Sequence, residues 1–192
     1  MEKLEIDKNS TALVVIDLQK GIAGMPTQPY AAEAVIANAA KLAQAFRQND
    51  MPVFLVRVKP SADARDALKP EADVKMQMNA SAMPADWSEI VPEMGPEPTD
   101  FLITKKQWGA FYGTELDLQL RRRKIGAIVL CGIATSIGVE STARFAYEYG
   151  YEQIFAEDAM ASRSKEEHDS TIKNIFPRMG RVRKTEEILA EL

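Results

Sequence analysis

Three residues could carry chemistry together. Asp17 follows the apolar run Val14-Val15-Ile16, and Lys105 follows Phe101-Leu102-Ile103-Thr104. Gly138 lies just beyond a third such run, Ala127–Cys131, where a helix is expected to begin. An ionisable group at the end of an uninterrupted apolar strand sits in a low-dielectric setting, where its pKa can be tuned. A carboxylate and an ammonium there hold each other charged, and the ammonium can stabilise negative charge that develops on a substrate. A glycine at a helix start clears space and exposes backbone N–H groups at the positive end of the helix dipole, which suits an anion.

The elements that must position these groups alternate. Thr11–Ile16, Val53–Val58, Phe101–Thr104, Ala127–Cys131 and Gln153–Ala156 read as strands, with a short sixth near Arg181–Val182. Helical periodicity marks Ala31–Asn49, Glu115–Arg123, Val139–Tyr149, Lys165–Phe176 and Thr185–Leu192. Unbroken apolar strands between helices predict an α/β fold of three layers, α/β/α, around a mainly parallel six-stranded sheet. Residues 1–192 form a single domain on this reading. In such sheets ligands bind at the carboxyl ends of the strands, so Asp17, Lys105 and Gly138 converge on one crevice. Residues 59–100 break the rhythm with Pro60, Pro70, Pro84, Pro92, Pro96 and Pro98. They read as a long excursion over the sheet edge, packed by Met76, Met78, Met83 and Met94 and by a second subunit.

The chain has 192 residues, 46% hydrophobic and 27% charged, with a net charge of -4. That composition suits a soluble globular domain and no nucleic-acid surface. The basic run Arg121-Arg122-Arg123-Lys124 reads as a solvated last helical turn. No apolar run approaches the roughly 20 residues that span a bilayer, and there is no secretory signal pattern, so the cytoplasm is the expected compartment.

Other nucleophiles fare less well. The single cysteine, Cys131, lies inside an apolar strand, as a core residue would. Ser136 reads as the helix N-cap and Ser141 lies one turn inside. The lone histidine, His168, sits in the polar run Glu166-Glu167-His168-Asp169 and is expected to face solvent, leaving neither serine a base. Glu157-Asp158 reads as a structural acidic strand end. Trp108, Phe111 and Tyr112 read as core or as a pocket wall, and Tyr30 as a group that could close the crevice.

Three stretches, in order, carry a family resemblance. They are Val14-Val15-Ile16-Asp17-Leu18-Gln19, then Ile103-Thr104-Lys105-Lys106-Gln107-Trp108-Gly109-Ala110-Phe111, then Cys131-Gly132-Ile133-Ala134-Thr135-Ser136-Ile137-Gly138-Val139-Glu140-Ser141-Thr142-Ala143. Together the chain resembles the isochorismatase-like hydrolases, whose fold is Rossmann-like and whose largest branch is the cysteine hydrolases. The resemblance implies an acid/base Asp17, and it selects Lys105 rather than Lys106 as the catalytic lysine. It places Gly138 where that branch carries its nucleophilic Cys. True isochorismatases also carry Gly there, and their Asp is thought to protonate an enol-ether carbon before water completes hydrolysis. They differ at the turn, where a Tyr-Ala-His run replaces Ala134-Thr135-Ser136. The resemblance further implies a non-proline cis peptide at Ile133–Ala134, aiming the Ala134 N–H into an oxyanion pocket shared with Gln19, Trp108, Thr135 and Ile137. Metal-dependent nicotinamidase relatives place histidines after the second strand, and residues 59–100 contain none.

The resulting expectation is a hydrolase of a small molecule that needs neither cofactor nor metal. It would act by non-covalent acid/base chemistry through Asp17 and Lys105, and assemble as a homo-oligomer, a dimer or tetramer. The alternative is an inactive relative that binds a small molecule or serves as a scaffold.

Overall fold

The computed structural model describes residues 4–74 and 83–192. Met76 and Met78, assigned above to packing, lie outside those residues. Six strands form one parallel sheet: β1 (Thr11–Ile16), β2 (Val53–Val58), β3 (Phe101–Lys105), β4 (Ala127–Ile133), β5 (Glu152–Ala161) and β6 (Arg181–Arg183). Their spatial order is β3-β2-β1-β4-β5-β6. The order reverses between β1 and β4, where an open α/β sheet leaves a crevice at its carboxyl edge.

Both faces are covered, as the unbroken apolar strands require. On one side α2 (Ala32–Gln48) buries Val35, Ala39, Leu42 and Phe46 against Leu13, Val15, Val129 and Cys131. The C-terminal helix α6 (Thr185–Leu189) adds Ile188 to that layer. On the other side α3 (Leu116–Arg122) and α4 (Glu140–Glu148) cover Val14, Ile16, Ile128 and Leu130. Phe155 and Phe176 stack there with ring centroids 3.9 Å apart. Every residue of β1 is buried. Among the described residues no helix is long and apolar enough to cross a membrane.

Several boundaries differ from the sequence reading. β5 runs on through Glu157 and Asp158 to Ala161, because a register shift against Leu130 and Gly132 of β4 lets the strand continue past the acidic pair. The segment expected as one helix over Lys165–Phe176 is α5 (Lys165–Ser170), a π-helical turn (Thr171–Ile175) and a 3-10 turn holding Pro177. Helix α4 is likewise preceded by a π-helical turn, Thr135–Val139. Its N-cap position is Ala134, which makes no side-chain cap bond, so Ser136 is not the cap.

The later part of the 59–100 excursion does not wander over the sheet edge. It returns to the segment after β1, where α1 (Lys20–Ala23) lies. Lys20 N–H donates to Glu89 O and Gly21 N–H to Trp87 O, while Val91 N–H donates to Leu18 O. The Trp87 ring covers Gly21 so closely that a Cβ there would lie 2.0 Å from the indole. Met94 is buried against α2.

Candidate active site

Asp17 leaves β1 in the left-handed conformation, φ 54°. Aspartate tolerates that region better than most residues, and one such residue turns the chain sharply out of the sheet. Asp17 stays 5% exposed. Lys105 is the last residue of β3 and is 1% exposed, an uncommon state for lysine. Its ammonium meets Asp17 Oδ2 at 2.7 Å and also donates to the Trp108 carbonyl. The adjacent Lys106 instead reaches the surface, pairing with Asp66 and the Lys59 carbonyl. The neighbouring lysines are thus separated into one interior and one exterior group.

Asp17 Oδ1 is buried and has no hydrogen-bond partner among the described residues. Burial pushes the Asp17 carboxyl up to about 6, against the opposing pull of Lys105. Desolvation wins because the one ammonium satisfies only one of the two oxygens. The carboxyl is therefore able to exchange a proton near neutral pH.

Gly138 completes the group. A Cβ at this position would lie 3.1 Å from Asp17 Oδ2, 3.4 Å from Lys105 Nζ and 3.0 Å from Ile16 Cγ2. Any side chain at 138 would enter the ion pair. The turn reaches this spot through Gly132, paired with Ile16 in the sheet, with φ 123° and a virtual Cβ only 2.0 Å from the Ile16 carbonyl oxygen. No side chain fits there without parting β1 from β4. The Ile133–Ala134 peptide is cis, as the motif implies.

The other pocket candidates divide. Gln19 is fully buried, and its amide is occupied by backbone: Oε1 accepts from Val58 N–H, and Nε2 donates to the Val58 and Trp87 carbonyls. It ties three segments together and offers nothing to a ligand. Trp108 contributes its carbonyl to Lys105, while its ring is half exposed. Of its neighbours, Phe111 is core and Tyr112 is exposed. Ala134 and Ile137 are partly buried in the turn, joined by an Ile137 N–H bond to Ala134 O. Cys131 is wholly buried and points into the α2 side of the core, and burial pushes its thiol far above the usual range.

The expectation for His168 is overturned. It is 1% exposed, and its Nδ1 lies 2.9 Å from Thr135 Oγ1. The ring faces Glu157, with Nε2 3.5 Å from Oε1, and meets Tyr30 edge-on. Tyr30 is occupied there as well, donating its hydroxyl to Glu157 at 2.9 Å. A signal for this existed in the sequence. His168, Ile172 and Phe176 recur at four-residue spacing, one helical face, and that face is turned inward. The acidic neighbours Glu166, Glu167 and Asp169 obscured it.

A six-stranded parallel sheet covered by helices on both faces, with a buried Asp–Lys pair at its carboxyl edge, defines a three-layer α/β domain. The isochorismatase domain matches residues 11–187, and the chain belongs to the isochorismatase family. It is 53% identical over 192 residues to the uncharacterised isochorismatase family protein YwoC of Bacillus subtilis, covering 100% of this chain and 99% of YwoC. It is 51% identical over 189 residues to YecD of Escherichia coli O157:H7, likewise uncharacterised, covering 98% and 100%. An isochorismatase family protein from Burkholderia thailandensis superposes with a TM-score of 0.93 at 43% identity, over 98% of this chain and 97% of that one.

Proposed function

We propose that this protein hydrolyses a small molecule without forming a covalent enzyme intermediate, with Asp17 as the proton donor and acceptor and Lys105 as its electrostatic partner. The observation that carries this reading is the contact geometry at Gly138. The place from which a nucleophile would face Asp17 Oδ2 and Lys105 Nζ holds no side chain. What remains is a buried carboxyl with one free oxygen, poised by burial at about 6. A general acid works best when its pKa lies near the working pH. The protonated Asp17 gives its proton to the enol-ether carbon, water adds to the resulting oxocarbenium ion and returns a proton to Asp17, and the hemiketal so formed breaks its C–O bond to release an alcohol and a carbonyl product. The Lys105 ammonium stabilises the carboxylate that is left. The backbone N–H groups of Ala134 and Gly138 would hold an anionic part of the substrate, those of Ser136 and Ile137 being already bonded.

A buried ion pair is weak evidence for stability, since hydrophobic residues of similar volume often serve the fold as well or better. Its presence at the switch point therefore favours an active site over a bare scaffold. The test is a screen of enol ethers and small amides with wild type and Asp17→Asn, with intact-protein mass measured during turnover. We expect Asp17→Asn to abolish turnover, with no adduct on the wild type. An acyl adduct on the wild-type protein, or full turnover by Asp17→Asn, would overturn this reading.

A further inference from the structure

Two consecutive residues of the turn over Asp17 are held from one distant segment. Thr135 Oγ1 meets His168 Nδ1 at 2.9 Å, and Ser136 N–H donates to Ser162 Oγ at 3.1 Å. The Ser136 and Ser162 hydroxyls are also paired, at 3.0 Å. Ser162 directly follows β5 and His168 lies in α5, so both anchors come from the stretch that joins the two. The segment is itself fixed: Gln28 and Ser162 exchange two backbone hydrogen bonds of 2.8 Å, and Thr171 donates to Glu140 Oε2 of α4 at 2.8 Å.

His168 has a defined electrical setting. Burial raises the Glu157 carboxyl, but the neighbouring His168 ring and the hydrogen bonds from Lys184 and Tyr30 outweigh it and hold the group at about 2. Glu157 therefore remains an acceptor. Facing it, the imidazole lies with Nε2 3.5 Å from Glu157 Oε1 and Nδ1 against Thr135 Oγ1, and the tautomer with its proton on Nε2 would leave a lone pair at Nδ1 for the Thr135 hydroxyl. The Thr135 hydroxyl then has one role, donation to His168. Thr135 is fully buried, and its turn brings Gly138 against Asp17.

Resting on the function proposed above, we propose that His168 is a positioning residue, whose Nδ1 accepts the Thr135 hydroxyl and fixes the 134–138 turn above Asp17, with Glu157 and Tyr30 setting the tautomer and orientation of its ring. His168 touches neither Asp17 nor Lys105; it acts through Thr135. A ligand-site support of this kind tunes rate because a misplacement of about 1 Å at a reacting centre can lower it on the order of a hundredfold.

The test uses Thr135→Val, which keeps the shape and removes the donor, with Thr135→Ser as the variant that restores it and His168→Asn to replace the ring. The chain has one histidine, so its ring nitrogens give a single pair of 15N resonances. We expect a protonated Nε2, and an Nδ1 resonance that moves in Thr135→Val and returns in Thr135→Ser. Amide exchange at residues 134–138 should rise about tenfold in Thr135→Val and His168→Asn, the effect of losing one buried hydrogen bond, with the β4 amides unchanged. The Asp17 carboxyl should titrate lower as water gains access. On a substrate whose turnover needs Asp17, Thr135→Val should lower kcat about tenfold with KM held. Uniform exchange acceleration, no acceleration, or an unchanged kcat would overturn the positioning role. Turnover surviving in Asp17→Asn would instead overturn the function, leaving the substrate-free exchange and 15N results to decide the role of His168.

Discussion

Asp17 and Lys105 meet at 2.7 Å although they come from strands that are not neighbours. Strand β2 lies between β1 and β3, and the lysine side chain reaches across its end to the carboxylate. Only a long side chain could make that span. Replacing Lys105 with Met keeps the span and removes the charge. Asp17 then loses both the charge and the hydrogen bond that lower its pKa, so its carboxyl should titrate above 6. We expect turnover to be lost. Removing one partner of a buried pair costs about 3–5 kcal/mol when the other stays charged. The penalty should therefore be present at pH 8 and much smaller at pH 5, where Asp17 is protonated. Chemical denaturation at both pH values measures it, and equal penalties would show that the pair is not coupled.

The raised Asp17 pKa sets two pH dependences in the wild type. The folded state binds a proton more tightly than the unfolded state, whose aspartate titrates near 3.8. Between about 4 and 6 the folded protein thus carries more protons, and the stability contributed by this group falls as pH rises through that window. Activity should follow the same proton. If Asp17 donates it, kcat/KM falls as pH rises through about 6. A profile that rises through that region would assign Asp17 as a base in the free enzyme.

Much of this arrangement was legible before the fold was known, and the reasons are local. Unbroken apolar runs located β1, β2 and β4, and strand ends located Asp17 and Lys105, since a parallel sheet brings all carboxyl ends to one edge. What escaped was the partnering of polar side chains. Gln19 looks like a ligand group beside Asp17, yet its amide is consumed by the backbone of Val58 and Trp87, residues 39 and 68 positions away. His168 looks exposed among acids, yet its partners Thr135 and Glu157 arrive from other elements. Hydrogen-bond partners at such separations are set by tertiary packing, on which local periodicity is silent. Gly132 stands in the third motif with nothing local to mark it, and its contact with the Ile16 carbonyl follows only from the strand register.

Cys131 provides a control on thiol chemistry. It is wholly buried, and burial keeps the thiol protonated. Cys131→Ala should leave turnover near wild type and cost about 1 kcal/mol for the lost packing. The native protein should react slowly with iodoacetamide, because the thiolate is the reactive form. Loss of turnover in a folded Cys131→Ala protein would return this residue to consideration as a nucleophile.

The last prediction concerns what a side chain at 138 would do. In Gly138→Ala the methyl group would meet Asp17 Oδ2 at 3.1 Å and Ile16 Cγ2 at 3.0 Å, so the carboxylate or the turn must shift by a few tenths of an ångström. Such overpacking costs about 1–3 kcal/mol, part of which the better helix propensity of alanine offsets. Stability should change little, while turnover by the non-covalent route should fall on the order of a hundredfold, because the acid is moved. Gly138→Cys should behave differently. Its Cβ would lie 3.4 Å from the Lys105 ammonium, at the start of a helical segment, and both influences favour a thiolate. We expect the new thiol to alkylate faster than Cys131 at pH 7. With small amides, Asp17 would take the thiol proton and return it to the leaving amine, giving an acyl-enzyme detectable by mass. Peptide mapping distinguishes position 138 from position 131. A Gly138→Cys protein that is folded yet alkylates no faster than wild type would show that the Asp17–Lys105 pair cannot activate a nucleophile at this position, and the proposed proton chemistry would lose its main physical support.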